Sequence, residues 1–508
     1  MRTDKKTPTE ASEPEAYRLL LAISGLVVMS SVPAKLLQTL QQHHQHRLLA
    51  CLQLLPPAQQ MALSATLADV DFDLLQATWL SASQPADDHP SVDRAALAQA
   101  PSRVVRQPVS AADHQAWALA RSLGEQAISA GTVAVITVAG GQGTRLGFEH
   151  PKGLFPIGPV TDRTLFQIFA EQILARRRRH RADLPWCIMT SDATHEETVA
   201  FFQQHQYFGL TPDSLHFFRQ GSLPAMDAAT GQLLLAAPGQ LALSPDGHGG
   251  LVTALARAGL LELLQARGVQ HLYYHQVDNP TAIVADPALL GFHIQQQSQA
   301  TTCVVCKTSP TERMGVLVDL QGRTEIIEYS ELTAEQAAGQ DQNGQWIFWA
   351  GNTAIHVFDR QFLASFCEAG RQLPLHIARK QVPSVDETGQ PLPTATDGQP
   401  NAIKLERFIF DALPAATNTL IVEGHREREF NPVKNKSGSD SADTCRAALS
   451  RIAAEWLQAT GLPVDPQTVY ELSPLVALDV NELVNHHQQG TLPTITRTTA
   501  GCVIATAP

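Results

Sequence analysis

The sequence predicts an α/β protein: a doubly wound, mostly parallel, Rossmann-like sheet, preceded by a helical N-terminal region and followed by a small C-terminal domain. Three observations carry this. From residue 111 onward, strand-like and helix-like runs alternate, the pattern of parallel strands joined by crossover helices. The apolar run at 133–138 (VAVITV) leads directly into a glycine loop at 140–147. A second strand run, 271–277 (HLYYHQV), leads into Asp278-Asn279. Ligands of such sheets gather beyond the carboxyl ends of the strands, where both features fall.

Taken in order, residues 36–82 carry leucines and alanines at helical spacing, broken at Pro56-Pro57. Residues 83–110 are rich in Pro, Ser and Asp and read as a linker or extended wrap. A helix is expected at 112–130, then the strand at 133–138. Thr164 is placed to cap a helix with an apolar face of Leu165, Ile168, Phe169 and Ile173. The run Arg176 to Arg179 at its end suits the helix dipole and reads as a solvated basic terminus. Strands follow at 186–189, 215–218 and 271–277, with a helix at 196–203. The expected divisions are an extension at 1–35, a helical region and linker at 36–125, the sheet-bearing domain at 126–435 and a small domain at 436–508.

A chain of 508 residues exceeds one ordinary core. Its 44% hydrophobic and 17% charged residues are those of a folded globular protein. The net charge of -12 argues against a nucleic-acid partner, while a local cluster of cations can still hold phosphates. Seven scattered cysteines argue against a disulfide framework. Cys303 and Cys306 form a CxxC inside an apolar stretch and read as buried thiols on a strand. His43, His44 and His46 read as solvent-facing residues of a polar helix. Residues 19–28 are apolar but too short to span a bilayer. They suit the core of a signal peptide in length, but the polar stretch before them is long and carries Glu10, Glu13 and Glu15; alternatively, Met29 is the true start. Nothing downstream resembles a membrane span.

The glycine loop reads Gly140-Gly141-Gln142-Gly143-Thr144-Arg145-Leu146-Gly147. Glycines let backbone N–H groups approach phosphate oxygens. The gaps between Gly141, Gly143 and Gly147 do not match a dinucleotide fingerprint, and no Gly-Lys-Ser/Thr of a P-loop is present. What remains is G-G-x-G-T-R-L followed by Pro151-Lys152-Gly153. Arg145 offers a planar fork for phosphate oxygens and Lys152 a compact charge nearby.

The motif VAGGQGTRLG…PKG, with TLFQI, resembles the eukaryote-type UDP-N-acetylhexosamine pyrophosphorylases of the larger UDP-sugar pyrophosphorylase family. The resemblance continues through FFRQGSLPAM (217–226), SPDGHGGL (244–251), VDNP (277–280), KTSPTERMGV (307–316), IIEYSEL (326–332), AGNTAIH (350–356), NAIKLERFIFD (401–411) and EREFNPVKN (427–435). It implies transfer of a uridylyl group from UTP to a sugar 1-phosphate, with release of pyrophosphate. In that reaction two anions must be brought together, so positioning and electrostatic stabilisation do most of the catalysis. Arg145, Lys152 and Lys434 are the implied catalytic cations. Gly140, Gly141, Gln142, Gly143, Lys152, Gln220, Gly247, Asp278 and Lys404 are the implied UTP contacts. A carboxamide at Gln220 matches both O4 and N3–H of uracil. His248, Glu328, Tyr329 and Asn352 are the implied sugar contacts, and Phe408 and Phe410, two apart, would share a face if their segment were a strand. Asp278 is the implied ligand of Mg²⁺, the expected cofactor. Retention of all these cations argues against a non-catalytic UDP-sugar-binding protein.

One residue departs from the pattern. The N-acetylhexosamine enzymes read G-N-G-G where this chain has Gly247-His248-Gly249-Gly250, and G-H-G is instead what UDP-glucose and broad UDP-sugar pyrophosphorylases carry. The expected substrate is N-acetylglucosamine 1-phosphate, with glucose 1-phosphate the alternative. A cytoplasmic location is expected because UTP is a cytoplasmic substrate. The sequence leaves oligomeric state open.

Overall fold

The computed structural model describes residues 31–83, 93–368, 371–393 and 398–505; the apolar run at 19–28 and Met29 lie outside the described residues. The chain forms two compact units. The larger takes 89–222, 245–376 and 406–508, and the smaller takes 1–88, 223–244 and 377–405.

The smaller unit contains helices α1 (Ala34–Gln42), α2 (His46–Leu54), α3 (Pro57–Ala68) and α4 (Phe72–Ser83). Pro57 opens α3, where a missing N–H costs nothing, so the Pro56-Pro57 pair separates two helices as expected. Leu40, Leu48, Leu52, Leu63 and Leu67 are buried. The 223–244 segment packs on these helices: Gln45 Oε1 accepts from Leu233 N at 2.8 Å, and the Trp79 indole donates to Ala228 O at 3.2 Å. In the histidine tract His44 and His46 are exposed as expected, and His43 departs. His43 and His44 form the turn between α1 and α2, and His43 is half-buried, stacked on Phe72 with Nδ1 at 2.7 Å from Gln76 Oε1.

Among the described residues, ten strands form the main sheet of the larger unit: β1 (Val104–Val105), β2 (Val133–Val138), β3 (Trp186–Thr190), β4 (Leu215–Arg219), β5 (His271–Gln276), β6 (Ala300–Cys306), β7 (Val316–Leu320), β8 (Arg323–Ile327), β9 (Ala350–Asp359) and β10 (Thr419–Glu423). The spatial order is β1-β10-β6-β9-β5-β2-β3-β4, with β7 pairing β8 and the start of β9. The run β5-β2-β3-β4 is parallel throughout, and β10 is parallel to both β1 and β6. Only β9 in that row is reversed, running antiparallel to β5 and β6. The mostly parallel sheet holds. Part of the expected linker, Val104–Val105, is its edge strand.

Helices α5 (Ala111–Ser129), α6 (Leu165–His180), α7 (His195–Gln204) and α8 (Pro287–Gln295) flank the sheet. α5 and α8 meet backbone to backbone: a Cβ at Gly124 would lie 1.9 Å from Pro287 O, and one at Gly291 only 1.6 Å from Ala120 O. Thr164 caps α6, its Oγ1 accepting from Gln167 N at 3.2 Å, and Leu165, Ile168, Phe169 and Ile173 are buried as expected. The basic end of α6 is a correction. Arg176 is buried, 2% exposed, because α6 packs under the 282–286 loop and Arg176 Nε donates to Val284 O. The CxxC also splits: Cys303 lies in the fully buried part of β6, while Cys306, its last residue, is exposed and its thiol donates to Glu423 Oε1 at 3.1 Å.

Toward the C-terminus, α9 (Ala442–Ala459) packs on a small sheet of Tyr470–Leu472, Cys502–Ile504 and Ile495–Arg497, around buried Leu457, Leu483 and Ile504. No helix among the described residues is long and apolar enough to cross a membrane.

Candidate active site

Three adjacent parallel strands deliver their carboxyl ends to one place. β2 ends at Val138 and passes into Gly140; β3 ends at Thr190 and passes into Ser191; β4 ends at Arg219 and passes into Gln220. Ser191 Oγ donates to Gly140 O at 2.8 Å, and Gln220 N donates to Thr190 O at 2.8 Å. The Gln220 carboxamide lies over Gly140, where a Cβ would sit 2.2 Å from its Oε1. A Cβ at Gly140 would push the Gln220 carboxamide off the loop.

The loop folds back on itself. Gly143 N donates to His150 O at 2.9 Å, Lys152 N donates to Gly141 O at 3.0 Å, and Gln142 bridges to Pro151. Gly153 passes against the Phe166 ring, 2.0 Å from where a Cβ would stand, which anchors the turn carrying Lys152. On the neighbouring strand, the β5–β2 register pairs Gln276 with Val138, so Asp278, two residues on, comes level with Gly140. Lys152 Nζ donates to Asp278 Oδ2 at 3.2 Å. Arg145 is exposed, and its guanidinium has no ion-pair or hydrogen-bond partner among the described residues.

The 425–436 segment reaches the same edge, with Val433 N donating to Asp278 O at 2.8 Å. Lys434 Nζ is 3.7 Å from Asp440 Oδ2 and 5.5 Å over the Phe430 ring. Lys436 comes within 3.8 Å of the Cβ position of Gly147, at the end of the glycine loop. Lys436 was missed in the sequence, where the Lys-Asn-Lys spacing alone does not say which lysine turns toward the loop.

A second group surrounds His248. Gly247 takes φ +81°, and a Cβ there would fall 2.4 Å from Arg407 O. His248 Nδ1 accepts from Ile409 N at 3.1 Å, which leaves its proton on Nε2. The imidazole stacks on Phe408 at 5.3 Å between centroids and lies 5.6 Å from Phe410. Burial among these rings pushes its pKa down to about 4, so it is neutral at pH 7. Phe408 and Phe410 belong to a loop and the short helix Ile409–Ala415, not to a strand; they gather around His248 through that turn. Phe408 also lies 4.4 Å from the His376 ring, and His376 Nε2 is 2.7 Å from Asp411 Oδ2. No sequence motif joins His376 to Asp411, and the pair emerged only from the fold.

Glu328 begins the turn after β8, with Tyr329 beside it 47% exposed. Burial raises the Glu328 carboxyl above the ordinary carboxylate range; Glu331 adds to this, while His376 and Lys434 oppose it. Glu328 Oε1 lies 2.9 Å from the Cβ position of Gly315, whose carbonyl accepts from Asn352 N at 2.9 Å. Asn352 stands where the β6–β9 register shifts, and its Oδ1 accepts from Ala354 N at 3.0 Å. Lys404 is half-buried on the strand Ala402–Glu406 and is described with the smaller unit.

Beneath these loops lies Asp246, unremarked in the sequence. It is 4% exposed, and its Oδ1 has no hydrogen-bond partner among the described residues. Burial pushes its pKa up to about 6, opposed by Arg407 and Arg257. A Cβ on either Gly221 or Gly250 would come within 2.4 Å of its carboxylate, so the loops bearing Gln220 and His248 both close on this one side chain.

Among the described residues no group of three or more His, Cys, Asp or Glu is arranged to hold a metal ion. Asp278 offers a single carboxylate, with Oδ2 engaged by Lys152. That suits Mg²⁺, which binds through one or two carboxylates and completes its octahedron with waters and substrate phosphates.

Residues 92–500 match the family model described as UTP--glucose-1-phosphate uridylyltransferase. The chain is 38% identical over 362 residues to a UDP-N-acetylglucosamine pyrophosphorylase of Saccharomyces cerevisiae, covering 69% of this chain and 75% of that one. It is also 38% identical over 386 residues to the UDP-N-acetylhexosamine pyrophosphorylase-like protein 1 of Mus musculus, covering 70% and 74%. The crystal structure of the uridine diphosphate N-acetylglucosamine pyrophosphorylase from Trypanosoma brucei superposes with a TM-score of 0.74 at 26% identity, covering 89% of this chain and 94% of that one.

Proposed function

Because this chain belongs to the UTP–glucose-1-phosphate uridylyltransferase family, we propose that it transfers uridylate from UTP to N-acetylglucosamine 1-phosphate, releasing pyrophosphate. The observation that carries this is the convergence of Gly140, Gln220, Lys152 and Asp278 at the carboxyl ends of four neighbouring parallel strands. The carboxamide of Gln220 pairs with the uracil edge while the glycine loop lies along the triphosphate. An oxygen of the sugar phosphate attacks the α-phosphorus in line, and charge builds on the departing pyrophosphate. Arg145, Lys152 and Lys434 stabilise that charge, and Gly247 completes the nucleotide contacts. Mg²⁺ held by Asp278 supplies charge neutralisation between phosphates.

Glu328, Asn352 and the exposed Tyr329 receive the sugar hydroxyls, and Phe408 and Phe410 present an apolar wall for the acetyl methyl. The relatives of yeast and mouse support the N-acetylhexosamine assignment. His248 favours a second reading, glucose 1-phosphate. The reaction runs in the cytoplasm, where UTP is available. Pyrophosphate release from UTP with a panel of sugar 1-phosphates tests the proposal: preference for N-acetylglucosamine 1-phosphate is expected, and absence of release with every sugar would overturn it.

A further inference from the structure

Away from the cleft, the larger unit carries a half-open pocket of about 380 Å³ between α5, α6, α9 and the C-terminal residues. None of the site residues described above lines it. Its walls are chiefly apolar, with Trp117 from α5, Trp456 and Ile452 from α9, and Ile168 from α6. Set among them is Arg176, 2% exposed. Its Nε is bonded to Val284 O, and no carboxylate of the described residues lies within 4 Å of its guanidinium. The other charges of the wall are engaged: Arg163 with Glu171 and Glu471, Arg121 near Asp479 at 3.9 Å, Arg428 near Glu455 at 3.6 Å. Asp286 caps α8 through Ala288 N. Glu429 is pushed up to about 8 by burial and by Asp286, so at pH 7 it sets no full negative charge against an incoming anion.

Asp286 acts on this guanidinium through space but forms no ion pair with it, and a buried guanidinium without a paired carboxylate is costly unless something supplies the charge. We propose that this cavity is a second ligand site, for a small organic anion with an aromatic or aliphatic body, its anionic group at Arg176 and its body between Trp117 and Trp456. Three chain segments give the site a route to catalysis. The segment that carries Lys152 continues to Gly158, Pro159 and Arg163 in the cavity wall. The segment that carries Asp278 continues to Pro280 and Ile283. The segment ending in Val433 and Lys434 begins with His425, Arg428 and Glu429. Asn279 ties two of them together, its Nδ2 donating to Glu429 O at 2.7 Å and its Oδ1 accepting from Asn431 N at 3.1 Å. Occupancy of the cavity therefore bears on the loops holding the reactive groups, and turnover responds to it.

The test uses the full chain and 1-anilinonaphthalene-8-sulfonate, an aromatic anion of suitable size, followed by fluorescence. One probe per chain is expected to bind, with saturating UTP failing to displace it. Binding should weaken at least about tenfold in Arg176→Gln and be abolished in Ile452→Trp, which fills the cavity; circular dichroism and thermal melts establish that each variant is folded. Either 4-phenylbutyrate or phenyl phosphate should compete, and whichever does identifies the anionic head. At saturation the probe should change wild-type turnover at least about twofold and leave Arg176→Gln unchanged. Displacement by UTP, binding undiminished in whichever variants fold, failure of both competitors, or unaltered wild-type turnover would each overturn the proposal.

Discussion

Lys152 Nζ lies 3.2 Å from Asp278 Oδ2, and each side chain is 17% exposed, so the cation proposed for the phosphates is held by the carboxylate proposed for the metal. Lys152→Ala should lower kcat on the order of a hundredfold or more, the scale of deleting one transition-state electrostatic donor. Asp278→Asn should raise the Mg²⁺ concentration needed for half-maximal rate, and excess EDTA should abolish turnover. Steady-state pyrophosphate release over a Mg²⁺ series reads all three; full activity in EDTA would remove Asp278 from its metal role.

Among the described residues the Arg145 guanidinium makes no ion pair or hydrogen bond that its loss would break. Arg145→Ala should therefore shift stability by no more than about 0.5 kcal/mol, while turnover falls roughly a hundredfold. A thermal melt beside a kcat measurement separates the two, and a loss of turnover below about threefold would contradict a role in the chemistry.

The proposed reading of uracil by Gln220 depends on how its carboxamide lies over Gly140. Gln220→Glu replaces a donor with an acceptor and should cost about 1–3 kcal/mol, roughly ten- to a hundredfold in kcat/KM for UTP. Gly140→Ala should do the same by displacing the carboxamide. Wild-type protein should strongly prefer UTP to CTP. Equal use of the two nucleotides would dismiss Gln220 as the reader of the base.

Asp246 should leave a signature in the pH dependence of stability. Its folded pKa, about 6, lies above the 3.8 of an ordinary carboxyl, so the folded state holds the proton more tightly than the unfolded chain. The stability this supplies is complete below pH 3.8 and is lost as pH rises through 6. Asp246→Asn should abolish that component, giving a melting temperature that falls less between pH 4 and pH 7 than in the wild type. Parallel slopes would show that Asp246 titrates normally.

In the proposed sugar pocket, His248 bears on the choice between N-acetylglucosamine 1-phosphate and glucose 1-phosphate. Its Nδ1 is committed to Ile409 N, so only the Nε2–H remains to meet a sugar hydroxyl, and the imidazole carries no charge at pH 7. An Asn amide would offer both a donor and an acceptor. His248→Asn should sharpen the preference for N-acetylglucosamine 1-phosphate over glucose 1-phosphate by roughly the 1–3 kcal/mol of a single pocket contact. The measurement is kcat/KM for both sugars in both proteins, and a wild-type preference of about tenfold for glucose 1-phosphate would favour the second reading.

The parts of the site legible in the sequence are those whose chemistry is local. Gly140 to Lys152 lie within one strand–loop unit and Asp278 ends a recognisable strand, so the strand–loop pattern marked them, and the resemblance supplied their roles. Arg176 was misread because four consecutive arginines at a helix end look uniformly solvated, although one faces a wall supplied more than a hundred residues later. His376 with Asp411, and Asp246 beneath Gly221 and Gly250, are meetings between distant segments that no periodicity encodes. Phe408 and Phe410 were rightly noticed together but for the wrong reason, since a turn and not a strand brings them to His248. The return of 223–244 to the N-terminal helices was likewise invisible, because its leucines and alanines fall in short runs, broken by Pro224, Gly231, Pro238 and Gly239, too short to show a period.

The sheet's outer edge is finished by β1 lying beside β10, and the neighbouring Arg103–Asn418 hydrogen bond spans 315 positions of chain. During synthesis at about 5–20 residues per second, Val104 and Val105 emerge roughly 15 to 60 s before the strand they pair with. Until then β6 has no β10 either, and its apolar edge is open to other chains. A nascent chain of this protein is thus most vulnerable to aggregation late in translation, and slowed synthesis between 306 and 423 would lengthen that exposure without altering the finished fold.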